Sequence, residues 1–497
     1  MCSLFRGVTD DDFLSPLCFQ GLLTAAALPA MTSMFSSPVQ AQGQQRRFLF
    51  VICASGGADI CDSFMPLSTG TARDTLRSHD AVDIRSIGNH RCVDRQRQLR
   101  FFVGGSAQKT FLEENGADMA VAAVTGSSVN HVVAARRWLN GDGRAINGRT
   151  LVESHAMRWA TPEMPLPAVN LANGGYIDPG IDASIPAVMR AETVQNALLF
   201  GMATHPSKGV VPINRGAQRE ALLTRARLVR ESLDDKSAFV SRYSQSKMLQ
   251  GFRSRRKETV PLMQELDLIT ELTMVSSGAV RLDDYGLSAS PQLPALTAAG
   301  FADLASDPFM AQAALAYLLA RSGASTAVAS GAPTAPIAGP GNDEFGFTLK
   351  HPPLACDFSH TDHPATQLVM WDRFLTMTGG LIRLLKATPF GDATMWDNSL
   401  VYIATEFGRS VEGNGPVGTG HELNNGVALV SPLLNGGRVY GGLGDDGFTR
   451  GFDRNSGNVD EGSVISEPDI VATIAKALDH DLGPGDDAKV LPCLLRS

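Results

Sequence analysis

Four groups with chemical potential follow directly on the apolar run Leu400–Ala404: Thr405, Glu406, Arg409 and, after a Gly- and Pro-broken loop, His421. A carboxylate, a guanidinium and an imidazole together are suited to holding an anion, a metal ion or both. Glu406 and Arg409 stand three residues apart at what reads as a strand-to-helix turn, so a structural ion pair is the other reading. A second set, Asp357, His360, Asp362 and His363, places two carboxylates and two imidazoles within seven residues, the densest concentration of metal-ligand types in the chain. A solvated polar turn with Asp362 or His363 as a helix cap is its alternative. Asp59 comes after Gly56 and Gly57, whose freedom lets the backbone turn sharply and approach a ligand, and it reads equally as a ligand or a cap. His131 occupies the first turn of a helix marked by Val132, Ala135 and Leu139 and stopped at Gly141. Free N–H groups there favour anions, although a lone His in that place also serves as a cap.

The elements that must position these groups are strands buried on both faces. Residues 47–54, Met119–Thr125, Ser325–Ser330, Leu400–Ala404 and Gly426–Val430 are short, nearly continuous apolar runs of the kind found in parallel sheets. In open α/β sheets ligands gather beyond the carboxyl ends of strands, where Asp59, His131, Glu406 and Arg409 all fall. Between the strands lie helices at Phe309–Arg321, after Pro364 with Leu368, Trp371, Leu375, Ile382 and Leu385 as the buried stripe, and from Ser466 with Pro468 in its first turn. Residues 60–100 read as a polar surface region in which His79, His90 and Cys92 lack metal-ligand spacing. About 215–290 forms a charged, Leu-studded helical insertion, and 331–353 a long Gly/Pro-broken loop of the kind that makes lids.

At 497 residues the chain exceeds the size at which one core usually stops growing. Its 43% apolar and 19% charged residues exclude a disordered chain, while a net charge of −8 and a single basic cluster, Arg253 to Lys257, argue against nucleic acid as a partner. Residues 19–34 and the small-residue stretch up to Ala41 resemble a secretory leader, with Asp10, Asp11 and Asp12 where positive charge is expected. The expected division is a leader at 1–44 and one domain over 45–497, exported to the periplasm or beyond, with no membrane span in the mature chain. Of seven cysteines, Cys53, Cys61, Cys92, Cys356 and Cys493 would remain after the leader, and export would permit a Cys61–Cys92 disulfide. No Gly-x-Gly-x-x-Gly opens a helix after the first strand, which excludes a dinucleotide-binding site of that kind.

The Gly56-Gly57-x-Asp59 turn, the His131 helix start, the Asp357/His360 loop, Thr405-Glu406-Phe407-Gly408-Arg409, His421 and the Gly436-Gly437…Tyr440-Gly441 tail occur in an order that resembles the bacterial family called domain of unknown function 1501. That family is similar to the alkaline phosphatase and sulfatase superfamily, and the resemblance spans roughly residues 45–480. It implies a three-layer α/β/α fold with a mostly parallel central sheet. It also implies a hydrolase of small phosphate or sulfate esters that uses a divalent ion such as Zn, Ca or Mg. Carried over by position, Asp59 would hold one metal, and Asp357, His360 and His421 the other; His131 falls where the nucleophile would be, and Glu406 and Phe407 where a second ligand pair would be. Phe407 binds no metal and His131 offers no alkoxide, so a one-metal or degenerate site is implied, with Arg409 steadying the anion and His131 transferring a proton or, as the other reading, acting as nucleophile. A non-catalytic binding protein with a protein partner, on the same scaffold, is the alternative.

Overall fold

The computed structural model describes residues 46–69, 78–171, 179–203, 225, 228–246, 249–250, 253, 268–275, 282, 287–331, 341–342, 348–351, 355–413, 417–480, 482 and 489–496. The expected leader, most of the expected 215–290 insertion and much of the 331–353 loop lie outside them. Ten strands matter for the site: β1 Phe48–Cys53, β2 Met119–Thr125, β3 Ala168–Asn170, β4 Glu192–Thr193, β5 Ala327–Gly331, β6 Ser399–Ala404, β7 Gly408–Gly413, β8 Thr419–Glu422, β9 Asn424–Val430 and β10 Arg438–Tyr440. Eight of them build one sheet in the order β4-β3-β5-β1-β6-β9-β2-β10. In it β9 runs antiparallel to both its neighbours, β6 and β2, and the other adjacent pairs are parallel. The apolar runs thus form a mostly parallel sheet, and the Arg438–Tyr440 segment is its edge strand.

Alternation along the strands separates two cores. Phe48, Phe50 and Ile52 of β1 face one side, where they join the helices α4 (Pro308–Arg321) and α5 (His363–Ala387) through Phe309, Trp371 and Phe374. Leu49, Val51 and Cys53 face the other, with α2 (His131–Asn140), α3 (Leu151–Trp159) and α6 (Glu467–Ala477) contributing Trp138, Leu151 and Ile470. Helices on both faces of a central sheet make a three-layer α/β/α architecture. The stripe expected on α5 is buried at all five positions, and Asp362 caps this helix by accepting from the Ala365 N–H at 3.1 Å. Ser466 and Asp469 form a capping box on α6.

Three expectations are corrected. The segment after Glu406 is not a helix: Gly408–Gly413 is a strand, and β7 and β8 form a hairpin in which Arg409 stands opposite His421. The 60–100 region is not all surface, since His90 and Cys92 are buried and residues 60–64 form a buried helix, α1. Cys61 and Cys92 are not bridged; the thiols of Cys53, Cys61, Cys92, Cys356 and Cys493 are buried and outside any disulfide. Among the described residues, no helix is long and apolar enough to cross a membrane.

Candidate metal centre

The carboxyl ends of β1 and β6 lie side by side, with Cys53 in register with Ala404, and the chain leaves both strands into the same space. Beyond β1, Gly56 and Gly57 turn the backbone at φ +83° and +72°. A Cβ on Gly56 would meet the Asp357 backbone nitrogen at 2.5 Å, and one on Gly57 would meet the Phe407 ring at 2.7 Å. Glycine is therefore required here, both for conformation and for space. Beyond β6, the Glu406 side chain folds back and accepts from the Gly56 N–H at 2.8 Å, while Thr405 Oγ1 accepts from the Ala58 N–H at 2.8 Å.

His131 is the first residue of α2, and Asn130 caps that helix by accepting from the Val133 N–H at 3.2 Å. The helix is fixed on the strand end by Trp138, whose indole N–H donates to the Glu406 carbonyl at 2.8 Å. His131 Nδ1 then lies 3.0 Å from Glu406 Oε2, and its Nε2 lies 3.5 Å from Asp357 Oδ1. His421, on β8, directs Nδ1 at the Val129 carbonyl at 3.1 Å, and its ring stacks on Phe407 with centroids 3.9 Å apart. Each imidazole hydrogen-bonds outward through Nδ1, which turns Nε2 inward, that of His131 toward Asp357 and that of His421 toward the His360 Nε2 at 2.8 Å. His131, Asp357 and His421 thereby bring three ligand atoms within 4.8 Å of one another.

Charges of both signs meet at the cluster, where Arg409 Nη2 lies 3.7 Å from Asp357 Oδ1. Asp357 Oδ1 is buried and accepts no hydrogen bond among the described residues. The hydrogen bond to Glu406, against the effect of burial, raises the His131 pKa. Burial, then the Arg409 charge, pushes His421 down to about 4, and the same two causes lower His360. His360 and His421 are therefore neutral near pH 7, whereas an ion at His131 must displace a proton that Glu406 favours. Two ligand atoms about 2.1 Å from one tetrahedral ion stand about 3.4 Å apart, close to the 3.5 Å between His131 and Asp357. The donor set of two imidazoles and one carboxylate fits a divalent ion of the zinc type better than calcium or magnesium, which prefer all-oxygen shells.

The other expected site residues have distinct places. His360 Nε2 lies 2.8 Å from His421 Nε2, at the border of the trio. Arg409 is 0% exposed and donates to the carbonyls of Gly57 at 3.1 Å, Cys356 at 2.9 Å and Gly56, so its guanidinium ties the β1 turn to the Asp357 loop. Asp59 is buried and caps α1, accepting from the Asp62 N–H at 3.0 Å. The Ser127 hydroxyl donates to Glu467 at 2.6 Å and accepts from Arg137 at 2.7 Å, and Ser128 Oγ accepts from the Asn130 N–H at 3.1 Å.

Behind the trio is a layer of which sequence reading singled out His363 but not Gln367 or Asp62. His363 and Gln367, one turn apart on α5, share a face. His363 Nε2 lies 3.3 Å from Asp62 Oδ2, and its Nδ1 lies 3.1 Å from Thr419 Oγ1 on β8. Gln367 accepts from the Asp59 N–H at 2.8 Å and donates to Gly57 O and Ser359 Oγ. Asp62 also meets His79 Nε2 at 2.8 Å. Burial alone would raise the Asp62 carboxyl, but the His79 charge and the hydrogen bonds from His363 and His79 hold it well below the usual carboxylate range. The i, i+4 spacing of Gln367 from His363 is the sequence signal that could have found Gln367.

Fold and site together define a three-layer α/β/α protein with an imidazole and carboxylate cluster at the carboxyl edge of its sheet. Compared with known proteins, the chain matches no family profile and no curated sequence. Among solved structures it is similar to the phosphonate monoester hydrolase SpPMH from Silicibacter pomeroyi, at 12% identity and a TM-score of 0.32, over 91% of this chain and 78% of that one. A likeness of that size carries no argument about activity.

Proposed function

We propose that this protein is an exported, metal-dependent hydrolase of small phosphate or sulfate esters, with a single divalent ion held by His131, Asp357 and His421. The observation that carries the reading is the inward convergence of two imidazole nitrogens and a carboxylate oxygen whose outer partners, Glu406 and the Val129 carbonyl, fix their orientation. A bound ion supplies Lewis acidity toward the ester oxygen and acidifies water. The chain's own groups do the rest. Glu406 keeps His131 in the tautomer that presents Nε2, and Phe407 walls off one side of the His421 ring. His360, neutral and exposed beside His421, is placed to move a proton. Arg409 holds the backbone on which Asp357 stands, and Asp59 anchors α1; neither is assigned a ligand role.

A non-catalytic ion-binding protein is the second reading, favoured by the engagement of Ser127 and Ser128 in local hydrogen bonds instead of at the cluster. Metal analysis of protein purified without chelators, followed by assays with aryl phosphates and aryl sulfates, separates the two. The hydrolase reading expects about one ion per chain and a loss of both ion and turnover, by about a hundredfold, in His421→Ala and Asp357→Ala. An ion without turnover supports the binding protein, and absence of both overturns the metal centre.

A further inference from the structure

The strand that carries His421, β8, lies outside the central sheet, and among the described residues its strand partner is β7. Pairing on one side leaves the place of β8 to be set by other anchors. Two come from His363, the first residue of α5. Its backbone N–H donates to the Val417 carbonyl at 2.9 Å, and its ring Nδ1 lies 3.1 Å from Thr419 Oγ1. Thr419 and His421 are alternate residues of β8, so their side chains leave the strand on the same face. The opposite nitrogen of the His363 ring meets Asp62, with Nε2 3.3 Å from Oδ2, while Asp62 Oδ1 is taken by His79 Nε2 at 2.8 Å. His363 and Thr419 are 0% exposed and Asp62 is 2% exposed, so none of the three can turn to water instead.

These contacts have a direction. An ionised carboxylate only accepts, so the hydrogen of a neutral His363 belongs on Nε2, and its Nδ1 lone pair must be met by a donor. The Thr419 hydroxyl is that donor; the other acceptor within its reach, the Ser359 carbonyl, is farther away at 3.4 Å. Carboxylate, imidazole and hydroxyl thus form a chain that starts on α1, passes through α5 and ends on β8. The same order of groups activates nucleophilic hydroxyls, but complete burial denies Thr419 a substrate. We propose that His363 and Thr419 are positioning residues for the ion centre: the chain from Asp62 fixes which way the Thr419 hydroxyl points, and so holds β8 in the place that aims His421. This rests on the proposed ion centre for its effect on metal binding, but not for the directions of the hydrogen bonds.

NMR of isotope-labelled histidine rings in the full, ion-free protein, together with zinc affinity measured by chelator competition, tests the assignment. The two variants are Thr419→Val, which keeps the shape and removes the hydroxyl, and Thr419→Ser, which keeps the hydroxyl. In the unsubstituted protein the ring hydrogens are expected on His363 Nε2 and His421 Nδ1. Thr419→Val is expected to spread the His421 hydrogen over both ring nitrogens and to weaken zinc binding about fivefold, the worth of one neutral hydrogen bond. Thr419→Ser is expected to match the unsubstituted protein in both respects, whereas a purely structural role would lower stability in Thr419→Val without moving the His421 hydrogen. A hydrogen on His363 Nδ1, a His421 ring unaltered in Thr419→Val, or a Thr419→Ser variant as impaired as Thr419→Val overturns the assignment. The first of these is read without any substitution, so it decides the matter even where Thr419→Val does not fold. Absence of zinc binding in the unsubstituted protein sinks the ion centre alone, and the ring hydrogens then decide the chain.

Discussion

The proton positions on two imidazoles decide whether the cluster can hold an ion. A neutral imidazole has one N–H and one lone pair, and whichever nitrogen finds an acceptor carries the hydrogen. Glu406 and the Val129 carbonyl claim the Nδ1 hydrogens of His131 and His421, so the His131 Nε2 turns toward Asp357 and the His421 Nε2 toward His360. Glu406 is 1% exposed, and its charge-assisted hydrogen bond weakens when the charge is removed. Glu406→Gln is accordingly expected to weaken ion affinity by about 10- to 100-fold, measured by competition with a chromophoric chelator. In ion-free protein the same substitution lowers the pH at which His131 titrates by NMR, since the hydrogen bond to Glu406 is the largest cause of its raised pKa. Unchanged affinity would show that Glu406 does not orient His131.

The first two turns of α5 join three segments that the sheet alone does not hold together. Through Gln367 they meet the turn after β1 and the Ser359 loop, and through His363 they meet β8, the strand that carries His421. Gln367 is 2% exposed, so its partners cannot turn to water when it is removed. Gln367→Leu keeps the volume but strands the Asp59 N–H and the Ser359 hydroxyl in the interior. A buried polar group left without its partner costs about 1–3 kcal/mol, so chemical denaturation should show a loss of about 3 kcal/mol. A loss below about 1 kcal/mol would mean that the turn is held by other contacts.

Away from the site, His155 on α3 and His480 after α6 form a buried pair whose nitrogens are 2.8 Å apart, and His155 Nε2 meets the Arg47 carbonyl at 2.9 Å just before β1. Both rings are neutral: burial pushes His155 down to about 3, and burial, then the neighbouring His155 and Arg158, holds His480 well below its usual range. In the unfolded chain each titrates near 6.5. Above that pH both states are neutral and the pair's contribution is fully present. As pH falls below about 6.5 the unfolded chain takes up protons that the native state refuses, so stability declines. At pH 5 the loss from His155 alone is about 2 kcal/mol relative to pH 7. Unfolding curves at the two values should show at least this difference, and His480→Phe should reduce it; an acid sensitivity unaltered in that variant would place its origin elsewhere.

By itself the sequence determined the layered architecture, because apolar runs and helical stripes are local patterns that burial on two faces demands, and Leu400–Ala404 or the stripe on α5 needed no distant information. It also determined which residues end at the carboxyl edge of the sheet, since Gly56, Gly57, Asp59 and Glu406 follow their strands closely and His131 opens the helix after its strand. Strand direction and side-chain partnership were not legible, because both depend on which segments fold into contact. Only the tertiary structure decided that β9 runs antiparallel, that Arg409 enters a hairpin and turns to backbone carbonyls, and that the dense Asp357–His363 cluster divides, with His360 at the rim and His363 in the interior. The physical reason is that a short polar motif fixes which donors and acceptors exist, while tertiary packing fixes which of them meet.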